Sequence, residues 1–268
     1  MIEWETIKVL LDRNKNEIKR FLFKTYTNDK YGYPLDETEY NDNGEIVCKR
    51  IYKHFDNGEI KEYIEYDPYD ELLEKHAYNK NEFGVIDRVE FEFINEQKAI
   101  KEYYFSDIGN AQKAIVKNEN GEITGYEIYV SNNEGQLIEE IELDEYENEI
   151  TRYSKKYNDD GLLINDQQFN DDELISEDFY EYNNKGNVIK KTHKNYLDNY
   201  VVIDEYKYDL NGNMIYNCAR QNNVLVFENL CAYNNNNDLI LEELFELSFW
   251  ERKIVKHERL IHEKVSDL

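Results

Sequence analysis

The sequence predicts an all-β fold, a long antiparallel β-meander, and three observations predict it. Glycines recur at Gly32, Gly58, Gly84, Gly109, Gly135, Gly161, Gly186 and Gly212, with gaps of 26, 26, 25, 26, 26, 25 and 26. The stretches between turn residues are rich in Tyr, Ile, Val and Phe. They often alternate apolar with polar, as in residues 85–93 (VIDRVEFEF) and 137–143 (LIEEIEL). Turn residues also break the chain about every dozen residues, too often for ordinary helices.

The repeating unit is seen most plainly in residues 206–215 (YKYDLNGNMI), where a tyrosine-rich strand runs into an Asn-Gly turn and an apolar pair opens the next strand. Asn and Gly supply the positive φ angles that tight hairpins need. The phrase returns at 157–164 (YNDDGLLI), 182–189 (YNNKGNVI) and 233–240 (YNNNNDLI). Asn237-Asp238 falls where a ninth glycine is due. Repeats make the array one continuous body whatever its length.

A second, looser set of turns lies midway between the glycines: Asn43-Gly44, Asp70, Glu96, Asn120-Gly121, Glu147-Asn148, Asp171-Asp172, Asp198-Asn199 and Asn222-Asn223. Each repeat of 25–26 residues is thus strand, loose turn, strand, glycine turn. The two prolines, Pro34 and Pro68, sit beside turns, where a missing N–H does least harm to a ladder. At the N-terminus, residues 4–11 and 18–27 read as a first hairpin around a turn at 13–16. Residues 1–240 form the hairpin array, and 241–268 are expected to cap it. In that last segment Trp250, Ile254, Val255 and Leu260 fit either a strand or a short amphipathic helix. A meander this long must coil, split or close. The expectation is an open, coiled, largely single-layer, solenoid-like sheet, because a large closed barrel leaves a wide lumen to fill.

Counting back six residues from each glycine gives Tyr26, Tyr52, Tyr78, Tyr103, Tyr129, Lys155, Tyr180 and Tyr206. Residues two apart share a face, so these side chains form one ladder across the sheet. Such a ladder serves first as cross-strand packing. It is also the place to look for a partner-binding surface, and Tyr52, Tyr78, Tyr103, Tyr129, Tyr180 and Tyr206 are the candidates, since tyrosine is enriched at interface cores.

With 32 basic and 58 acidic residues the net charge is −26, spread along the chain. Direct nucleic-acid binding and docking on an anionic membrane are disfavoured, and a basic protein partner is favoured. Cys48, Cys218 and Cys231 are widely scattered, which fits reduced thiols. No stretch reads as a signal peptide or a membrane span, so cytoplasmic residence is expected.

The phrase Y-[DN]-x-x-G-x-[LVM]-I resembles the YD repeats of Rhs- and teneurin-like proteins, best at residues 157–164, 182–189 and 208–215. A second resemblance is to MORN-like repeat antitoxins, which share the two-strand unit and its Asn-Gly turns. In large YD-repeat proteins the sheet spirals into a shell around a toxin. This chain is short for such a shell, and the resemblance implies a small, free-standing immunity or antitoxin protein that binds a toxin. The alternative is a structural or carrier module of a secretion or surface assembly.

No catalytic or cofactor motif is found. The histidines (His54, His76, His193, His257, His262) lack metal-ligand spacing. Close carboxylate pairs such as Glu139-Glu140 and Glu242-Glu243 follow from composition. Clusters such as Asn158-Asp159-Asp160 read as turn chemistry rather than calcium ligands. A non-enzymatic binding protein without cofactor or metal is the expectation.

Overall fold

The computed structural model describes residues 1–12, 14–94, 98–106, 109–247 and 254–267. Arg13, Glu96 and Trp250, which entered the expectations above, lie outside the described residues. In chain order the strands are β1 (Ile2–Leu11), β2 (Glu17–Asn28), β3 (Pro34–Tyr40), β4 (Ile46–His54), β5 (Ile60–Tyr66), β6 (Leu72–Lys80) and β7 (Ile86–Phe93). They continue with β8 (Ala99–Phe105), β9 (Ala111–Asn118), β10 (Ile123–Ser131), β11 (Leu137–Asp144), β12 (Glu149–Tyr157), β13 (Leu163–Asn170) and β14 (Glu173–Tyr182). The last six are β15 (Val188–Asn195), β16 (Tyr200–Tyr208), β17 (Met214–Gln221), β18 (Val224–Tyr233), β19 (Leu239–Leu247) and β20 (Ile254–Asp267).

Each strand pairs antiparallel with the one before and the one after it, as a meander requires. The ends differ from the expectation. β1 pairs with β2 on one side and with β20 on the other, through partners such as Thr6↔His262 and Val9↔Arg259. The sheet therefore closes into a 20-stranded barrel, and the open, solenoid-like sheet is corrected. Residues 254–267 are strand rather than helix, and they supply the closing ladder.

Local turn chemistry explains the closure. The glycine turns are hairpins with three-residue loops. In the turn at 158–162, Asn158 N–H donates to Leu162 O at 2.9 Å and Gly161 N–H donates to Asn158 O at 3.0 Å, with Gly161 at φ +79. That is a type I turn followed by a left-handed bulge residue. The leading Asn or Asp caps the loop: Asn158 Oδ1 accepts from the N–H groups of Asp160 and Leu162. A register shift accompanies nearly every turn, as at Lys156/Tyr157 and Glu181/Tyr182. Bulges increase twist and bend strands. Repeated around the sheet, they bring its two free edges together, where pairing removes an exposed edge.

The tyrosine that opens each best-matching phrase ties neighbouring strands at the glycine-turn rim. The hydroxyl of Tyr157 donates to Leu137 O at 2.8 Å, Tyr182 to Leu163 O at 2.5 Å, Tyr208 to Val188 O at 2.8 Å and Tyr233 to Met214 O at 3.1 Å. Each acceptor is the first residue of the adjacent strand. These tyrosines are architectural.

The barrel has little conventional core. Buried apolar side chains are few, among them Val9, Leu11, Ile64, Val89 and Ala114. The accessible surface is 16,453 Å² for 32.4 kDa, against about 12,400 Å² expected for a compact monomer of that mass. The excess of about one third is what a thin wall wetted on both sides produces. A round ring of 20 strands at about 4.8 Å spacing and about 40° tilt has a backbone diameter of about 40 Å. Among the described residues each strand's close neighbours are its two ladder partners only, so no strand fills the lumen.

Candidate functional site: the inner wall of the barrel

Strand register sorts side chains onto two faces. From Tyr52, successive partners are Tyr63, His76 and Phe91. Around the ring, the same face carries Tyr103, Ala114 and Glu127, then Glu142 on β11. It continues through Asp166, Asp178, His193 and Val202 to β16, and from there through Tyr206, Asn217 and Asn229. This is the concave, inner wall. Side chains on it converge across an intervening strand, as concave curvature favours. Tyr103 of β8 stacks on Tyr129 of β10 at 6.2 Å between ring centroids, and Lys101 of β8 meets Glu127 of β10 at 2.5 Å.

All six candidate tyrosines lie on this wall. Tyr52 packs on Tyr63 at 5.4 Å. Tyr78 meets the edge of His76 at 6.3 Å. Tyr103 and Tyr129 form the stacked pair, and Tyr129 hydrogen-bonds Glu127. Tyr180 and Tyr206 sit on β14 and β16 with Lys191 and Asp204 near them. Burial pushes the phenol pKa up in Tyr52, Tyr103, Tyr129, Tyr180 and Tyr206, so the hydroxyls stay protonated. Lys155, which replaces tyrosine in the ladder, pairs with Asp166 at 2.8 Å. The fold thus brings the six onto one surface, lining a lumen rather than the outside of an open sheet.

The wall is acidic, and part of its acid is matched. Arg50 bridges Glu37 at 2.5 Å and Glu65 at 3.1 Å. Asp178 receives Lys191 at 3.0 Å and His193 at 2.8 Å. His262 lies between Thr6 Oγ1 at 3.0 Å and Glu242 at 3.2 Å. Glu140 and Asp204 have no ion pair or hydrogen bond among the described residues. Burial raises both carboxyl pKa values, aided by Glu127 beside Glu140 and by Asp178 near Asp204, and outweighs the attraction of Lys155 for Glu140 and of Lys191, the register partner, for Asp204. Nearby, the Oδ1 atoms of Asn217 and Asn229 are buried without a donor, and Asn229 is only 6% exposed. The sequence reading passed over Asp204, Asn217 and Asn229, and set Glu140 aside as part of a carboxylate pair expected from composition. Their signal was present in the two-residue spacing that puts Asp204 on the face of Tyr206, and in the pairing of Tyr206 with Asn217.

Among the described residues neither face carries an uninterrupted apolar band. On the outer wall Glu62 pairs with Lys53 and, at 2.9 Å, with Lys75, and Glu177 meets Lys194 at 3.1 Å, all in mid-strand. Among the described residues no group of three or more His, Cys, Asp or Glu is arranged to hold a metal ion. The three cysteines are free thiols. No helix among the described residues is long and apolar enough to cross a membrane, which says nothing of barrels.

No protein family and no curated protein matches the chain. Among solved structures it is similar to the crystal structure of TcdB2-TccC3-TEV, at 14% identity and a TM-score of 0.43, over 86% of this chain and 13% of that one. It is similar also to a Photorhabdus luminescens Tc holotoxin pore, at 13% identity and 0.43, over 90% and 15%. A third likeness is to a porin-like protein from Bacteroides uniformis, at 11% identity and 0.40, over 98% and 96%. The chain thus spans less than a sixth of the toxin chains' length.

Proposed function

We propose that this chain is a non-catalytic, protein-binding repeat barrel, and that it acts as an immunity or antitoxin protein that binds and neutralises a basic partner toxin. The inner wall carries the reading. Tyrosines, which bind through broad amphipathic area, alternate there with carboxylates around a wetted lumen. A partner is favoured over a small substrate because the wall offers extended area rather than a deep pocket with converging groups. The acid favours a basic partner and speeds its docking.

An aqueous setting fits the walls. A lipid-spanning barrel presents an uninterrupted apolar band outward, and ion pairs such as Glu62–Lys75 occupy the outer strands here. Cytoplasmic residence belongs to the same proposal, since the free thiols persist there.

The test is co-expression with the product of the neighbouring gene. A stoichiometric complex together with relief of growth arrest supports the proposal. A chain that neither binds that product nor relieves arrest overturns it.

A further inference from the structure

From the inner wall of β14 to β18 we infer a seat for a cationic side chain, lysine or arginine, through which the barrel holds a basic polypeptide segment in its lumen. The inference rests on the protein-binding reading and names the chemistry of the partner.

Four observations converge there. Asp204 is an inner-wall carboxylate whose register partner, Lys191, gives its ammonium to Asp178 at 3.0 Å, so two carboxylates share one lysine and Asp204 makes no ion pair of its own among the described residues. The side-chain oxygens of Asn217 and Asn229, cross-strand partners, are acceptors without donors. Tyr206 pairs with Asn217 in register, and Tyr180 lies on the same wall. Ala219, opposite Asp204, leaves the carboxylate a short neighbour.

A buried amide oxygen without a donor costs free energy, and so does a desolvated carboxylate that shares one lysine with a second carboxylate. Both costs are relieved by one ligand group that carries positive charge and several N–H donors. Guanidinium and ammonium are such groups, and both also sit well on tyrosine faces. An anion adds to the repulsion and a neutral apolar group leaves the acceptors unmet. The amide oxygens lie beneath neighbouring side chains, so the incoming donor turns those aside. Binding through long basic side chains suits an extended segment, which presents them in succession along the wall.

The site bears the mark of a functional compromise. Asp204 is held in an environment that disfavours its charge, so neutralising it stabilises the fold while removing the ligand's counter-charge. Packing alone predicts no such opposition.

The experiment is calorimetric titration of the full chain with nona-arginine and with nona-glutamate at low salt, comparing Asp204→Asn with Glu181→Gln. Glu181 lies on β14, two strands from Asp204, faces outward and pairs with Lys190 at 2.7 Å. The expected result is binding of nona-arginine only. Asp204→Asn should bind roughly tenfold more weakly, the worth of a charge-assisted contact, and melt at a higher temperature. Glu181→Gln should bind as the parent does. In a Cys48→Ser/Cys218→Ser variant, the peptide should also slow alkylation of Cys231, an inner-wall thiol 3.4 Å from the Asn229 amide nitrogen. Equal weakening by both acidic substitutions, or unchanged Cys231 alkylation under saturating peptide, overturns the inference. The titration reads the seat alone, so its failure leaves the co-expression result standing, and a failed co-expression leaves the titration standing.

Discussion

Tyr103 and Tyr129 stack with ring centroids 6.2 Å apart and planes 29° from parallel, although β9 runs between their strands. The residue beneath them is Ala114, fully buried and paired in register with Tyr103 on one side and Glu127 on the other. A small side chain in the middle strand lets its neighbours' rings meet above it. Larger side chains would hold the rings apart and flatten the wall. Ala114→Leu should therefore destabilise the barrel by about 1–3 kcal/mol through overpacking, read as a lowered urea midpoint.

Gly58 depends on a neighbouring turn. It holds φ +85, and a β-carbon there would lie 2.1 Å from the Tyr33 ring of the preceding glycine turn. Gly84 holds a similar φ of +78 with nothing near its missing β-carbon. Gly84→Ala should cost about 1 kcal/mol from backbone conformation alone. Gly58→Ala should cost more, and Tyr33→Ala should reduce the difference. A double-mutant cycle in urea measures that coupling.

The Asx caps hold the loops shut. Asn158→Ala removes the acceptor for two backbone N–H groups and should cost about 1 kcal/mol. Asn158→Asp keeps the acceptor and should restore stability, as thermal melting will show.

Two carboxylates should respond to pH in opposite directions. Burial acts to raise the Glu243 pKa, but hydrogen bonds from Lys15, Arg259 and His257 outweigh it and hold the group at about 2. Its contribution is fully present above its ordinary value of 4.5 and is lost as pH falls toward about 2. Glu243→Gln should lower the melting temperature at pH 7 and blunt the loss between pH 4.5 and 2. Glu140 is the reverse case, raised by burial and by Glu127, so its charged form disfavours the fold as pH rises through its folded pKa. Glu140→Gln should raise the melting temperature at pH 7 and leave it near the parent's in acid.

The spacing of the glycines and the Asn or Asp three residues ahead made the strands and one rim legible, because a left-handed position needs Gly and its cap needs a short acceptor. The other rim was harder to read. Asp70 and Glu147 take the left-handed position there at φ 64 and 65, and Asp171-Asp172 and Asn222-Asn223 form two-residue turns with both residues at positive φ. Closure could not be read from one repeat, since it depends on bulge-driven curvature summed over 20 strands. The tyrosine ladder was found, but its side of the wall was not. Residue spacing assigns a shared face, while curvature decides which face is concave. Asp204, Asn217 and Asn229 stood out only once register set the consecutive strands β16, β17 and β18 side by side.

Ring closure is the claim on which the lumen, the inner wall and the cationic seat all depend. Cross-strand nuclear Overhauser effects between β1 and β20 test it most directly. The barrel predicts backbone contacts between Thr6 and His262 and between Val9 and Arg259, with amides of both strands exchanging as slowly as those of β10. Missing contacts, with β1 and β20 exchanging rapidly as two exposed edges, would contradict it.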